Sequence, residues 1–80
     1  MMEVTARYFA AFREQAGKEI ERVKTGARTA GELYSELAAR HGFADARARC
    51  KVAINDELRD WDAELAEGDT VLFFPPVAGG

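Results

Sequence analysis

From Glu3 to Phe9 the chain alternates, with Val4, Ala6 and Tyr8 on one side and Glu3, Thr5, Arg7 and Phe9 on the other, which predicts a half-buried strand. Ala10 to Ala16 is a short run of helix formers closed by Gly17, the pattern of a brief helical turn ended by a left-handed residue. Glu19 to Lys24 reads as a second strand with Ile20 and Val23 facing inward. The inward positions slip by one between them, which predicts a bulge or a twist. Thr29-Ala30-Gly31-Glu32 has capping-box spacing and opens a helix to His41. Its apolar stripe is Ala30, Leu33, Tyr34, Leu37, Ala38 and His41, and Gly42 ends it. Phe43 to Arg49 fits a helical turn and an irregular loop equally well. Lys51 to Ile54 is a strand with Val52 and Ile54 inward, and Asn55-Asp56 turns it into Glu57 to Trp61 as a hairpin. After the polar turn Glu67-Gly68-Asp69, a last strand runs from Thr70 to Phe74, with Val71 and Phe73 on one face and Leu72 and Phe74 on the other.

Two strands, a helix and then further strands do not make the alternating pattern of a parallel sheet. The order predicts an α+β fold, a mixed sheet with one main helix packed on it, for which the β-grasp is the simplest architecture. The first and last strands are expected to be neighbours. At 80 residues the chain has room for one small domain, assigned to residues 1–74, followed by a flexible tail at residues 75–80. Hydrophobic residues at 48% against 31% charged are ordinary for a globular chain. A net charge of −3 argues against nucleic acid or a membrane as partner, since both reward a basic protein. The apolar run Val71 to Val77 is broken by Pro75 and Pro76 and is far too short to span a bilayer. Met1 to Arg7 lacks the marks of a signal peptide, and Cys50 is the only cysteine, so a reducing, cytoplasmic setting is expected.

No catalytic constellation stands out. A lone cysteine beside a strand reads as a small buried hydrophobe, so Cys50 receives no role. His41 sits at a helix C-terminus, where its charged form complements the dipole. Asp60, Asp62, Glu64, Glu67 and Asp69 lack calcium-loop spacing and read as a solvated face, so no metal site is assigned. Trp61 reads as packing. Phe9 and Phe74 differ, because alternation places each opposite the core-facing residues of its own strand. Apolar side chains on that side mark a docking patch, unless the Phe43 to Arg49 segment covers them.

The sequence ends Pro75-Pro76-Val77-Ala78-Gly79-Gly80. Two prolines favour an extended exit, and glycines leave a thin tip. Six extended residues reach about 20 Å, enough to enter a partner's active-site tunnel carrying the terminal carboxylate. A bare Gly-Gly end is also what a frayed terminus looks like.

Gly68-Asp69-Thr70-Val71-Leu72-Phe73-Phe74-Pro75-Pro76-Val77-Ala78-Gly79-Gly80 resembles the C-terminus of the molybdopterin synthase small-subunit family, ubiquitin-like sulfur carriers. Phe9-Ala10-Ala11-Phe12-Arg13-Glu14 is similar to that family's first strand and turn, and Asn55-Asp56-Glu57-Leu58 to its central hairpin. The resemblance implies that an ATP-dependent, ubiquitin-activating-like enzyme adenylates Gly80 and that a sulfur donor displaces AMP to leave a thiocarboxylate. It also implies that the tail, Pro75, Pro76, Val77, Ala78 and Gly79, enters the large synthase subunit. There sulfur passes to cyclic pyranopterin monophosphate, forming the dithiolene of molybdopterin. Phe9, Leu58 and Phe74 would contact the large subunit, which would hold the catalytic residues. This chain would bind no cofactor, and ATP would be used by the activating partner. Alternatives are a sulfur carrier for thiazole synthesis, a ubiquitin-like modifier joined to lysines through Gly80, and a plain interaction domain. Phe73-Phe74-Pro75-Pro76-Val77 favours the molybdopterin branch.

Overall fold

In the computed structural model, which describes residues 1–76, the alternating N-terminal segment forms strand β1 (Met2–Tyr8). It is followed by helix α1 (Ala11–Ala16), β2 (Ile20–Thr25), helix α2 (Ala30–His41), a 3-10 turn (Arg47–Arg49), β3 (Lys51–Ile54), β4 (Glu57–Arg59) and β5 (Thr70–Phe74). The five strands make one sheet in the order β2-β1-β5-β3-β4. β1 and β5 lie side by side and parallel, as expected for first and last strands, and the other pairs are antiparallel. With α2 across one face, the architecture is the ubiquitin-like β-grasp.

Helix α2 begins where the capping spacing predicts. Thr29 Oγ1 accepts from the Glu32 N–H at 3.2 Å, and the Glu32 carboxylate reaches back to the Arg28 N–H at 2.7 Å, one residue before the usual capping-box partner. The N–H groups of Ala30 and Gly31 donate to the carbonyls of Ala63 and Trp61, so the segment after β4 satisfies donors that a helix start leaves orphaned. Gly42 ends the helix at φ 73° and donates to the Ala38 carbonyl. Its inner face buries Leu33, Tyr34 and Leu37 against Val4, Ala6, Val23, Val52, Val71 and Phe73 of the sheet. Phe12 of α1, Phe43 and Trp61 extend this core with aromatic packing, Phe12 lying 4.6 Å from Phe43 between ring centroids and Trp61 stacking on Phe73.

Strand β2 corrects the sequence reading. Its register with β1 runs unbroken from Met2↔Thr25 to Arg7↔Ile20, without a bulge. The inward face is Glu21, Val23 and Thr25, and Ile20 points away from the core with half of its surface exposed. The hydrophobicity of Ile20 misled the phasing, because the position that does face inward carries a carboxylate with buried partners. The segment before β3 combines both expected forms, being irregular to Ala46 and then a 3-10 turn. The hairpin turn is as expected, with Asn55 and Asp56 both left-handed at φ 51° and 71°, but β4 stops at Arg59 and Trp61 lies in the following turn.

Candidate docking face and tail exit

The parallel pairing of β1 and β5 sets Tyr8 opposite Phe73, so the residues that follow them, Phe9 and Phe74, emerge side by side. Their rings meet edge to face at 5.2 Å. Phe9 is half exposed and Phe74 partly so. Phe43, at the head of the Phe43 to Arg49 segment, does not cover them and packs instead on the core against Phe12 and Tyr34. The Phe9 carbonyl accepts from the Phe12 N–H at 3.0 Å, and buried Phe12 anchors this corner. Leu58, 71% exposed, lies on the same face. It is paired to Ala53, which is paired to Leu72 on β5. Pro75 and Pro76 leave β5 directly beyond Phe74 and are partly buried. The remaining expected site residues, Val77, Ala78, Gly79 and Gly80, lie outside the described residues.

On the opposite face the structure joins three polar side chains that the sequence reading kept apart. Glu21 Oε1 accepts from the Tyr8 hydroxyl at 2.5 Å and from His41 Nε2 at 2.6 Å. His41 also meets the Tyr8 ring edge-on. Burial would raise the Glu21 carboxyl, but hydrogen bonds from Tyr8 and His41, with the nearby His41 and Lys18 charges, hold it below its usual value. Burial and the same hydrogen bond push the Tyr8 phenol well above its usual range. Arg40 ties Glu36 to this group at 3.1 Å, and Thr25 donates to Glu36, so a polar seam joins β2 to α2. The signal was present in the sequence, since Tyr8 and His41 were placed inward and strand parity puts Glu21 beside Val23.

Cys50 is buried, its thiol donates to the Ala46 carbonyl at 3.4 Å, and burial pushes its pKa up, away from a reactive thiolate. Of the five carboxylates read as a solvated face, two have local structural partners. Asp69 accepts from Asn55 and from the Ala66 N–H, and Glu67 accepts from the Glu3 N–H, stitching the last turn to β1 and the hairpin. Among the described residues, no group of three or more His, Cys, Asp or Glu side chains is arranged to hold a metal. No helix among them is long and apolar enough to cross a membrane.

The side chains thus form an exposed apolar corner, with Pro75 and Pro76 leaving β5 beside it. The model of the ThiS family matches residues 6–80, taking in the Phe9–Phe74 corner and the sequence of the tail. The chain belongs to the ThiS family. Over 76 residues it is 36% identical to the molybdopterin synthase sulfur carrier subunit of Escherichia coli K12, a match covering 91% of this chain and 94% of that protein. SAMP1, a small archaeal modifier protein from Haloferax volcanii, superposes with a TM-score of 0.79 at 28% identity, covering 98% of this chain and 99% of that one. A chain from the complex of subunits 1 and 2 of the molybdopterin-converting factor of Helicobacter pylori 26695 superposes with a TM-score of 0.68 at 31% identity, covering 99% and 100%. The ThiS-family assignment agrees with the resemblance carried by the tail and the hairpin.

Proposed function

We propose that this ThiS-family chain is the sulfur carrier of a molybdopterin synthase, acting in the cytoplasm through the Gly80 carboxylate. The observation that carries the reading is the near full-length match to a molybdopterin synthase sulfur carrier subunit. Exposed Phe9 and partly exposed Phe74 beside Pro75, with exposed Leu58 farther along the same face, supply a means of docking. A carboxylate is a poor electrophile until one oxygen becomes a good leaving group. An ATP-dependent activating enzyme joins the Gly80 oxygen to AMP and releases pyrophosphate. Hydrosulfide-level sulfur from a donor then attacks the acyl carbon, the acyl carbon–oxygen bond to AMP breaks, AMP leaves, and a thiocarboxylate remains. Phe9, Leu58 and Phe74 seat the domain on the large subunit, while Pro75 to Gly79 carry that sulfur to the cyclic pyranopterin monophosphate. The globular part binds and orients, and the large subunit and activating enzyme provide the catalysis.

The test is intact mass analysis after incubation with the activating enzyme, ATP and a sulfur donor. The unaltered chain gains the mass difference between sulfur and oxygen at Gly80 and supports pterin sulfuration. A chain lacking Gly80, or extended by one residue, does neither and keeps its thermal midpoint, because the buried core is drawn from Val4 to Phe73. Pterin sulfuration by the extended chain, without trimming back to Gly80, overturns the proposal. The likeness to SAMP1 favours a second reading, attachment to protein lysines through the same terminus. Lysine-linked conjugates in the native cell identify that use, and their absence leaves sulfur transfer alone.

A further inference from the structure

The strand registers define a row that crosses the whole open face of the sheet. Ile20 on β2 pairs with Arg7 on β1, Arg7 with Leu72 on β5, Leu72 with Ala53 on β3, and Ala53 with Leu58 on β4. Ala53 is buried yet does not join the helix-side core, as expected of a small side chain between the larger Leu58 and Leu72 on the open side. Ile20 and Leu58, at the two ends, are mostly exposed. The apolar surface therefore runs well past the Phe9–Phe74 corner to the far edge strand.

Charge on this face is one-sided. Its outward strand positions carry Arg7, Arg22, Lys24 and Lys51 against a single carboxylate, Glu3, which lies opposite Lys24. Arg7 interrupts the apolar row, and Lys51 pairs in register with Phe74. Among the described residues, none of these four cations has an acidic partner within 4 Å. Other cations do find acids, with Arg13 on Glu19, Lys18 on Glu21 and Arg40 on Glu36. The chain as a whole carries 14 acidic against 11 basic residues. The open face thus opposes the net charge of its own protein.

Resting on the sulfur-carrier reading, we propose that this face docks to a large-subunit surface with an apolar centre and carboxylates opposite Arg7 and Lys51. Encounter is then steered by local opposite charge despite the net negative charge of the carrier. Burying Arg7 without an acid would leave a cation unpaired in an apolar contact, so an apolar partner face alone does not fit. Lys51, at the edge of the patch, acts mainly on the association rate, whereas Arg7, within the row, and the central apolar side chains also set how long the complex lasts.

Stopped-flow association with the purified large subunit from the same organism, at 50 and 300 mM NaCl, tests this with four chains: unaltered, Arg7→Glu, Lys51→Glu and Phe74→Asp. We expect the association rate constant of the unaltered chain to fall about tenfold between the two salt concentrations. Arg7→Glu and Lys51→Glu should each slow association about tenfold at low salt and flatten the salt dependence, with circular dichroism unchanged. Phe74→Asp should weaken binding at both salt concentrations. If the unaltered chain binds with a rate that ignores salt and ignores both charge reversals, the acidic-partner inference is overturned while the partner reading stands. If the unaltered chain does not bind, the partner reading fails and takes this inference with it.

Discussion

The two faces of the sheet handle exceptions to hydrophobic alternation in opposite ways. On the helix-covered side the exception is polar. Glu21 faces inward beside Val23, and it is accommodated because the Tyr8 hydroxyl and His41 both donate to it. On the open side the exceptions are apolar, among them Ile20, Leu58, Leu72, Phe9 and Phe74, and Ile20, Leu58 and Phe9 are exposed. A buried polar group must find its partners within the chain, since an unmet one costs about 1–3 kcal/mol. An exposed apolar group has no such obligation and remains available to another protein. The covered side is consequently closed in its hydrogen bonding, with no buried side-chain nitrogen or oxygen among the described residues left without a partner. The open side is left incomplete in both its apolar surface and its charge.

The sharpest way to break this comparison uses two neighbours on one strand. Phe73 is fully buried on the covered side, stacked on Trp61 and Tyr8, whereas Phe74 stands on the open side. Phe73→Ala should cost about 3–5 kcal/mol, through lost transfer energy and a cavity that a small core closes poorly. Phe74→Ala should cost far less and show its effect in docking. Urea unfolding of both variants decides the matter, and equal losses would remove the distinction between the faces.

A smaller loss is expected at Glu21. Glu21→Ala strips the acceptor from the Tyr8 hydroxyl and from His41, costing about 1–3 kcal/mol, most of it from the buried groups left unmet. The exposed ion pairs to Lys18 and Arg40 add little. Glu21 also gives the covered side a pH signature. Its folded-state pKa lies below the ordinary 4.5, so its ionisation stabilises the fold above that value. That contribution is lost as pH falls below 4.5 and through the folded pKa. Denaturation midpoints of the unaltered chain and Glu21→Gln should therefore converge on acidification from pH 7 to pH 3. A constant separation over that range would mean that the charge on Glu21 does not stabilise the fold.

Most of the architecture was legible because local chemistry and global fold agree. Gly17 and Gly42 sit in the left-handed conformation that ends each helix, Thr29 caps α2, and Asn55-Asp56 makes the hairpin turn. Phasing of β1, β3 and β5 from alternation matched the structure at Val4, Ala6, Tyr8, Val52, Ile54, Val71 and Phe73. The failure at β2 has one cause. Hydrophobicity measures what a residue prefers in isolation, whereas Glu21 owes its position to Tyr8 and His41, residues 13 and 20 positions away in the chain. The contact between Phe9 and Phe74 was half legible. Alternation alone put Phe9 and Phe74 outside, but their contact depends on β1 and β5 being parallel neighbours, and the row from Ile20 to Leu58 depends on four strand registers at once.

The smallest effect belongs at the end of that row, and it tests the claim that the open side is kept for a partner. Leu58 lies on the short edge strand β4, is 71% exposed, and among the described residues pairs in register with Ala53 alone. It buries little of its surface in the isolated chain, and threonine is well suited to a strand. Leu58→Thr should therefore change stability by no more than about 0.5 kcal/mol, the range usual for surface substitutions. The same substitution removes an apolar side chain from the proposed contact, so dissociation from the large subunit should quicken while the urea midpoint holds. A midpoint shift comparable to that of Glu21→Ala would mean that Leu58 serves the fold and not a partner, and the open face would lose one end of its row.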